Sequence, residues 1–534
     1  MKTAGGSPVF LHRMVDEAAM SRPDATAVRC DGAGLSWQDL ARRANGVARV
    51  LLDTGVGRGD RVAVLLGKSL EVPAAFYGVL AAGGALVPID PKSPVDQIAR
   101  ILRATGATRL VTESKRRKTV VDLLDAKVEL SHVVGLEPSE ATSVHVAAWS
   151  AVDQLASDRP PAVVVDGLDT SYILHTSGST GEPKLIRHTH ASALAFVEWA
   201  VGEYGLTADD CLSNHSSHHT CFATFDFYAA ARAAATTVIL TPAAMLMPAS
   251  LAQVVERERI SVWYSVPTAL VQILLRGNLA DRDLSALRWV LFAGETFPDK
   301  HLQRLMELLP KARFSHVYGS TEVNVCTYYH LPESGEVPSP LPVGRPCSNA
   351  EALVVDETLE PVADGDTGEL LIRGSTVMSG YWADPDRNRQ ALVRRPAPGG
   401  LEETFFRTGD RMRMLDDGNL TFAGRADLQV KVRGYRVELE EVESALLALE
   451  PVHEAAAFAV PDGEGSSAIR AAVVVDPMAV VTHRGLLDGL KKILPLHAVP
   501  SEIEIVPSLP RTPTGKVDRK TLAEMQFRDG DCNE

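Results

Sequence analysis

Short aliphatic runs that each end in a polar or glycine-rich loop restrict the fold of this sequence more than any other feature. They alternate with amphipathic helical patterns such as residues 37–52. This alternation predicts layered α/β structure, in which ligands collect at the carboxyl ends of the strands. The predicted strands are residues 61–66, 85–89, 162–165, 237–240, 262–265 and 289–293.

The pattern changes in the second half of the chain. From about residue 344 the strands become shorter, and turn signals such as Asp364-Gly365 and Asp417-Gly418 appear between them. Short strands with frequent turns are typical of antiparallel structure. We therefore predict a β-rich subdomain that completes a large α/β domain.

A last segment has its own mixed pattern. A helical pattern at residues 438–449 precedes strand-like runs at 455–460 and 471–475, then a further helix and a terminal strand. Because 534 residues exceed what one compact core usually holds, more than one domain is expected. We predict an N-terminal core of residues 1–426 and a small α+β C-terminal domain of residues 427–534.

Charge and composition exclude several classes of protein. The net charge of −14 disfavours a nucleic-acid partner, and the short basic run 115–118 is interpreted as solvated surface. The six cysteines contain no CxxC pair, so neither a zinc site nor a disulfide framework is predicted. The N-terminal residues lack a signal-peptide pattern, and no apolar run approaches the ~20 residues of a membrane-spanning helix. We expect a soluble cytoplasmic protein with no membrane contact.

The strongest local motif is residues 175–184, His-Thr-Ser-Gly-Ser-Thr-Gly-Glu-Pro-Lys. Small hydroxyl residues and glycines let backbone N–H groups and side-chain oxygens surround a polyphosphate, and Lys184 adds a positive charge. The spacing differs from that of a Walker loop. A flexible linker is the alternative, but ten ordered positions that end in Pro-Lys favour a phosphate-binding loop.

This loop and a series of later motifs resemble the adenylate-forming superfamily of acyl-CoA synthetases, luciferases and nonribosomal-peptide-synthetase adenylation domains. The resemblance covers residues 30–520 and implies ATP and Mg²⁺ as cofactors, activation of a carboxylic acid as its acyl-AMP, and a mobile C-terminal domain. The matching motifs are residues 35–40, 83–90, 317–322, 368–374, 380–382, 406–410, 424–434 and 510–516.

The resemblance implies a role for each matching residue. Lys516, Thr180 and Glu322 would be catalytic, with Lys516 bridging the acid and the α-phosphate and Glu322 holding Mg²⁺. Tyr318 would stack on adenine, and Asp410 would accept hydrogen bonds from the ribose hydroxyls. The implied ATP-binding residues are Thr176, Ser177, Gly178, Ser179, Thr180, Gly181, Lys184, Gly294, Glu295, Thr296, Tyr318, Gly319, Ser320, Thr321, Asp410, Arg425 and Lys516.

The resemblance also implies how the reaction ends. In such enzymes the small domain swings about a hinge, here Asp427, so that Lys516 leaves and Gly434 lines a channel for a thiol. No Leu-Gly-Gly-Asp-Ser-like phosphopantetheine site follows residue 520. We therefore expect an acyl or peptidyl carrier protein supplied in trans, with coenzyme A as the alternative acceptor.

The nature of the acid depends on how Phe225-Asp226 is interpreted. It looks like the Phe-Asp-x-Ser motif whose aspartate binds the α-ammonium in amino-acid-activating relatives. The residues that follow it instead match the aromatic-acidic stretch that comes after that motif, which places Cys221 at the aspartate position. In that register the carboxylate has moved five residues along the chain (226 − 221).

A displaced carboxylate suits an ammonium group one carbon further from the acid. The pattern resembles stand-alone ligases that load β-amino acids onto carrier proteins in macrolactam antibiotic pathways. The alternative is that Asp226 is the ordinary acidic residue of its helix. The predicted substrate residues are Asp226, Cys221, Phe222, Phe225, Tyr264, Leu291, Ala293, Val317, Val325, Cys326 and Thr327.

This set contains no Arg or Lys, so an aliphatic or phenyl-bearing 3-amino acid is predicted. Two residues depart from the family pattern, namely Leu185 after Pro-Lys and His316 where an asparagine is usual. An α-amino acid adenylation enzyme and an aryl- or acyl-CoA ligase are alternative activities. An inactive scaffold protein is a third possibility, which the intact Lys516, Asp410 and Glu322 disfavour.

Overall fold

The structure is a computed structural model. It describes residues 10–138, 144–176, 178, 182–396, 401–425, 429–462, 466–476, 479, 481–511 and 517–525.

Among the described residues, the largest sheet has nine strands and a parallel centre with antiparallel edges. Its central strands are fully buried aliphatic and aromatic runs, as expected where helices cover both faces of a parallel sheet. In spatial order the strands are Arg345–Pro346, Thr327–His330, Arg313–Tyr318, Trp289–Phe292, Val262–Ser265, Cys211–Asn214, Thr236–Ile239, Thr26–Cys30 and Ala33–Ser36.

A second sheet, with eight strands in the described part of the chain, is parallel except at one edge, where two strand pairs are antiparallel. Val62 and Leu86 of this sheet pack in the same hydrophobic core as Leu212 and Leu291 of the first sheet. The two sheets therefore share one core. In spatial order the strands are Gly380–Tyr381, Lys184–Thr189, Thr170–Thr176, Ala85–Pro88, Arg61–Val64, Arg109–Val111, His132–Val134 and His145–Ala147.

Three smaller sheets follow. An antiparallel sheet is formed by Ala350–Val355, Thr367–Gly374, Leu392–Pro396, Glu402–Met414 and Leu420–Arg425. A two-stranded hairpin joins Gln429–Val432 to Tyr435–Glu438. The last sheet contains Val452–Pro461, Ser467–Val475 and Glu502–Ile505. The C-terminal strands and helices enclose a separate hydrophobic core that includes Val437, Leu446 and Val473.

Helices cover the sheets, and six of the described α-helices follow a residue whose side chain caps the first turn. The helix Trp37–Asp53, for example, follows Ser36, whose hydroxyl accepts the N–H of Asp39 at 3.1 Å. The α-helices are Arg13–Ser21, Trp37–Asp53, Glu71–Ala81, Val95–Thr105, Arg117–Asp125, Trp149–Gln154, His190–Glu203, Ala230–Ala233, Pro242–Met245, Pro248–Arg257, Pro267–Arg276, Asp299–Leu308, Pro385–Ala391, Leu439–Leu447, His483–Leu490 and Arg519–Glu524. Within the described ranges, no helix combines the length and apolar character needed to cross a membrane.

The predicted fold class is confirmed: a large α/β domain with a β-rich part precedes a small α+β domain. One predicted strand, residues 162–165, is wrong, because that segment is irregular and Val164 is 79% exposed. Pro160 and Pro161 precede it and lack the N–H groups that a sheet ladder needs. The predicted boundary at 426/427 lies outside the described residues.

Candidate active site

The predicted phosphate loop connects two antiparallel strands of the second sheet. Thr176 ends one strand opposite Lys184, which begins the next. At Gly178 a Cβ would lie 2.1 Å from the carbonyl oxygen of Glu182, so a side chain would clash with the backbone there. The hydroxyl of Thr176 is buried and has no hydrogen-bond partner among the described residues, which leaves it available to a ligand.

A second loop follows the strand Arg313–Tyr318 and is equally tight. A Cβ at Gly319 would lie 1.6 Å from the carbonyl oxygen of Asn324. The hydroxyl of Tyr318 donates to Asp410, and the Arg425 guanidinium pairs with the same carboxylate from the neighbouring strand. Tyr318, the candidate for stacking on adenine, and Asp410, the candidate for binding the ribose, are thus in direct contact.

Glu322, the predicted Mg²⁺ ligand, is completely buried. Tyr381 donates its hydroxyl hydrogen bond to Glu322 Oε1 at 2.9 Å, and Arg436 Nη1 lies 2.7 Å from both carboxylate oxygens. Burial alone would raise the pKa of Glu322, but Arg436 and Lys184 outweigh that effect and lower it to about 2. The carboxylate is therefore ionised and is neutralised by the protein itself.

The hairpin of Gln429–Val432 and Tyr435–Glu438 supplies this arginine and covers the predicted nucleotide site. Glu438 forms an ion pair with Lys184 of the phosphate loop. The Tyr435 hydroxyl lies 3.0 Å from the Ser217 hydroxyl of the large domain. We name this set of contacts the hairpin latch.

The turn of the hairpin also contacts the predicted purine-binding segment. The N–H of Gly434 donates to Glu295 Oε1 at 2.7 Å, while Thr268 donates to Glu295 Oε2 at 2.5 Å. Gly434 has φ +83, and a Cβ there would lie 2.5 Å from Val266 Cγ1. Gly294 adjoins this contact with φ +96, and Thr296 is exposed.

Ser320 and Thr321 are partly buried beside Glu322, and the carbonyl of Thr321 accepts a hydrogen bond from His188 at 2.8 Å. Six predicted site residues lie outside the described residues, and their roles stay predictions. These are Ser177, Ser179, Thr180, Gly181, Asp427 and Lys516.

Most of the predicted acid-binding residues pack together. The Phe222 and Tyr264 rings lie 4.5 Å apart, and the Phe225 ring lies 5.4 Å from Tyr264. Tyr264 and Leu291 are partners on adjacent parallel strands. We name as the acid-pocket cluster Cys221, Phe222, Phe225, Tyr264, Leu291, Ala293, Val317 and Val325, which share one hydrophobic core.

Two predicted members face other surroundings. Cys326 packs in a different hydrophobic cluster with Tyr318. Thr327 donates its hydroxyl hydrogen bond to the carbonyl of Val343 at 2.7 Å. His316, the departure from the family pattern, stacks on Phe292 and has its Nδ1 2.7 Å from the carbonyl oxygen of Pro342, so it has a structural role.

Asp226 lies in a π-helical segment, Thr224–Ala229, a geometry often associated with functional sites. Its side chain is completely buried, and Asn214 Nδ2 donates to its Oδ2 at 2.9 Å. Its Oδ1 has no hydrogen-bond partner among the described residues. Burial raises the pKa of Asp226 to about 8, although Asn214 and Lys68 oppose the rise, so the carboxyl group is largely protonated at pH 7 until a further cationic partner is added.

Asp226 also lies close to the acid-pocket cluster. Burial first, and then the nearby Cys221, Tyr204 and Asp226, raise the pKa of Tyr264. Burial likewise raises the pKa of the Cys221 thiol to about 11, so Cys221 is neutral at pH 7. Cys221, which the sequence predicts at the position of the α-amino aspartate, thus carries no charge. Of two carboxyl groups near the cluster, Glu322 acts on Cys221 but is paired with Arg436, whereas Asp226 acts on Tyr264.

A family model described as AMP-binding enzyme matches residues 15–382, and the model of its C-terminal domain matches residues 441–516. The chain belongs to the AMP-binding enzyme family. It is 33% identical over 519 residues to an L-proline–[L-prolyl-carrier protein] ligase from Pseudomonas fluorescens, covering 96% of this chain and 99% of that protein. It is 32% identical to part of bacitracin synthase 3 from Bacillus licheniformis, of which it spans 8%.

A solved relative has the same overall architecture. The amide bond synthetase McbA from Marinactinospora thermotolerans superposes with a TM-score of 0.84 at 26% identity, covering 96% of this chain and 99% of that one. AMP-binding enzymes of this kind use ATP with Mg²⁺. The chain fits that nucleotide, because Gly178 and Gly319 keep its loops tight, Thr176 offers a hydroxyl, and Glu322 and Asp410 offer buried carboxylates.

Three residues of this AMP-binding enzyme's site were not predicted from the sequence. Arg436 contacts Glu322 across 114 positions of the chain, and Lys68 contacts Asn214 across 146. Asn214 in turn contacts Asp226. Lys68 follows the strand Arg61–Val64, and Asn214 ends the strand Cys211–Asn214. The rule that ligands gather at strand ends was therefore the one signal in the sequence that could have indicated them.

Proposed function

We propose that this enzyme activates a β-amino acid with an apolar side chain as its aminoacyl-AMP and transfers the aminoacyl group to the phosphopantetheine thiol of a separate carrier protein. The carboxylate of Asp226 carries the proposal, since it is fully buried and one oxygen lacks a partner among the described residues. Leaving a buried carboxylate oxygen unpaired is costly. A substrate ammonium group would supply both the missing donor and the opposite charge.

The position of this carboxylate favours a β-ammonium over an α-ammonium. The residue at the α-amino position is the neutral thiol of Cys221. Asp226 lies five residues further along the chain, in the π-helical segment Thr224–Ala229. An amine on the β-carbon of the substrate instead of the α-carbon would match this shift of the carboxylate.

The lining of the pocket favours an apolar side chain. The acid-pocket cluster contains no arginine or lysine. A second carboxylate on the substrate would find no cationic partner within this cluster, and burying an unpaired charge costs several kcal/mol. Aliphatic and phenyl-bearing 3-amino acids avoid that cost.

For the chemistry we propose the roles that the family resemblance assigns. Thr180 and the loop around it hold phosphate oxygens, Glu322 holds Mg²⁺, and Lys516 neutralises the charge that develops as the carboxylate attacks the α-phosphate. The core of residues 1–426 binds ATP and the acid. The domain of residues 427–534 turns about Asp427 to deliver Lys516 and then to admit the thiol.

The carrier protein is supported by the Pseudomonas fluorescens relative, which is named as a carrier-protein ligase and matches nearly the whole chain. We propose that the enzyme acts in the cytoplasm, in a macrolactam-type antibiotic pathway of the kind served by the β-amino acid ligases that its sequence resembles.

ATP–pyrophosphate exchange with matched acids tests the proposal. 3-Aminobutanoate, 2-aminobutanoate and butanoate share one carbon chain and differ only in the amine, and 3-amino-3-phenylpropanoate, phenylalanine and 3-phenylpropanoate form a second set. We expect the 3-amino member of at least one set to exceed both partners in kcat/KM by about 100-fold or more, since a buried group built to bind an amine rejects acids lacking it. A preference for 2-amino acids would make the enzyme an α-amino acid ligase, and a preference for the unsubstituted acids an acyl ligase.

The acceptor is tested separately by mass spectrometry. The preferred acid, ATP and Mg²⁺ are supplied with either a phosphopantetheinylated carrier protein or coenzyme A. Aminoacylation of the carrier with stoichiometric AMP release is expected. Efficient formation of the coenzyme A thioester with no carrier loading would contradict this part of the proposal.

A further inference from the structure

A lysine from the second sheet reaches into the carboxyl edge of the first sheet. Lys68 follows the strand Arg61–Val64, and its ammonium donates to the carbonyl of Asn214 at 2.6 Å, the carbonyl of His215 at 2.8 Å and the Asn214 side-chain oxygen at 3.3 Å. An ammonium group has three N–H donors, so these three acceptors occupy all of them. Lys68 therefore has no donor left for Asp226.

The contact with Lys68 fixes the orientation of the Asn214 amide. Asn214 ends the strand Cys211–Asn214 and is 1% exposed. With its oxygen bound to Lys68, its nitrogen must face the other way, and Nδ2 donates to Asp226 Oδ2 at 2.9 Å. A flipped amide would place its oxygen against the carboxylate and its N–H₂ against the ammonium, both of which are repulsive.

Lys68 thus orients Asn214, and Asn214 in turn provides a hydrogen bond to one oxygen of Asp226. The other oxygen receives none from the described residues. Oδ2 is held by Asn214, while Oδ1 is buried and has no partner in the described part of the chain. The backbone of Asp226 is held as well, because Thr237 donates its hydroxyl hydrogen bond to the Asp226 carbonyl at 2.6 Å. One carboxylate oxygen and the backbone carbonyl of Asp226 are thus each held by a hydrogen bond.

We propose that Lys68 and Asn214 are positioning residues that present Oδ1 of Asp226 to the substrate ammonium and thereby determine which acids the pocket accepts. This inference rests on the proposed function. Burial raises the pKa of Asp226 to about 8, and Asn214 and Lys68 oppose that rise, so a substrate ammonium group would complete the stabilisation of the ionised carboxylate. A purely structural ion pair would instead bring Lys68 into direct contact with the carboxylate, and the ammonium is engaged elsewhere.

We call the chain of contacts from Lys68 through Asn214 to Asp226 the relay. Three variants test it in the full-length enzyme. Lys68→Met removes the cation but keeps most of the side-chain volume. Asn214→Leu removes both amide contacts at similar size. Asn214→Asp keeps an acceptor for Lys68 but removes the donor to Asp226. Lys92→Met is the matched control, since Lys92 influences the charge of Lys68 from a distance without contacting Asn214.

The readout is ATP–pyrophosphate exchange with the preferred 3-amino acid and with its desamino analogue, together with KM for ATP. We expect each relay variant to raise KM for the 3-amino acid by about 10- to 100-fold, with KM for ATP and the rate with the desamino acid within about threefold of wild type. Lys92→Met should change none of these by more than about threefold. A relay variant that impairs both acids and ATP equally, or that leaves amine discrimination intact, would overturn the inference.

A double-mutant cycle separates the relay from the proposed function. If Asn214 acts through Asp226, adding Asn214→Leu to Asp226→Asn should cause less than about a twofold further change. Full additivity would overturn the relay while leaving Asp226 as the amine-binding residue. If Asp226→Asn alone leaves amine discrimination unchanged, the proposed function fails. Thermal melting checks that every variant is folded, and Asn214→Asp carries the test if Lys68→Met does not fold.

Discussion

The nucleotide site and the acid pocket deal with buried charge in opposite ways. At the nucleotide site three ion pairs join charged groups of the described residues: Glu322 pairs with Arg436, Asp410 with Arg425 and Lys184 with Glu438. In the acid pocket the carboxylate of Asp226 keeps one oxygen without a partner among the described residues. ATP and Mg²⁺ would therefore have to replace existing partners, whereas the ammonium group of the acid would pair with an oxygen that has no partner among the described residues.

This contrast suggests where the enzyme has its two kinds of control. A site that exchanges partners can change with the position of the C-terminal domain, because the hairpin latch supplies two of the partners. A site with a hydrogen-bond acceptor in a fixed position instead selects among acids by whether they place a donor there. We expect changes at the first site to alter the reaction step and changes at the second to alter the choice of acid.

The largest expected effect is that of Lys516→Ala. Loss of a charge that stabilises the transition state should lower exchange by about 1,000-fold for every acid, because the effect does not depend on the amine. ATP binding, measured by calorimetry, should change by less than about threefold. Lys520→Ala, an exposed lysine four residues away, is the control. Wild-type exchange in Lys516→Ala would rule out its catalytic role.

Asp226→Asn should come next and should depend on the acid. Removing the charge opposite a buried ammonium is expected to lower kcat/KM for the 3-amino acid by about 100-fold and to spare the desamino acid. Asp209→Asn, which makes the same chemical change on a side chain that is 94% exposed, should have no effect. Equal losses of kcat/KM for both acids would indicate that Asp226 has a structural role. The contrast between the acid pocket and the nucleotide site would then not hold.

Arg436→Ala should have a smaller effect that separates the two half-reactions. Without Arg436 the Glu322 carboxylate is freed for Mg²⁺, so the Mg²⁺ concentration for half-maximal exchange should fall about threefold while thioester formation slows about tenfold. Arg433→Ala, on the exposed turn of the same hairpin, is the matched control. Unchanged Mg²⁺ dependence together with unchanged thioester formation would mean that the hairpin latch has no part in catalysis.

The smallest expected effect is that of Tyr381→Phe, which removes one neutral hydrogen-bond donor from Glu322. One such neutral bond contributes about 0.5–1.5 kcal/mol, and its loss frees Glu322 Oε1 as the loss of Arg436 does, so the Mg²⁺ requirement should fall by about twofold with no change in the choice of acid. Titration of Mg²⁺ in the exchange assay measures it. An altered preference among the acids would show that the two sites are less independent than their geometry indicates.

Local patterns were sufficient to predict much of the architecture. The strand at 262–265 has the predicted bounds, and the helix predicted at 37–52 runs from Trp37 to Asp53. Their buried aliphatic or amphipathic periodicity is written into adjacent residues. The strand predicted at residues 162–165 is wrong because the prediction considered only the aliphatic pattern. The two prolines that precede it lack the N–H groups that a regular sheet ladder needs.

The site was only partly predictable for a different reason. Motifs that are continuous in sequence, such as residues 175–184 and 317–322, identified the nucleotide loops. Arg436 lies 114 residues from Glu322, and Lys68 lies 146 residues from Asn214, so no local pattern marks these contacts. Asn214 lies only 12 residues before Asp226, but it ends a strand while Asp226 lies in the helical segment that follows, so their contact depends on the fold between them. The π-helical turn at Asp226 was likewise invisible to a search for 3.6-residue periodicity.

A crystal structure with a non-hydrolysable 3-aminoacyl-adenylate analogue tests the central claim most directly. The account predicts that the β-nitrogen lies about 2.7–3.2 Å from Asp226 Oδ1, with Asn214 still bound to Oδ2. An amine that lies against Cys221, or that makes no contact with the Asp226 carboxylate, would contradict it.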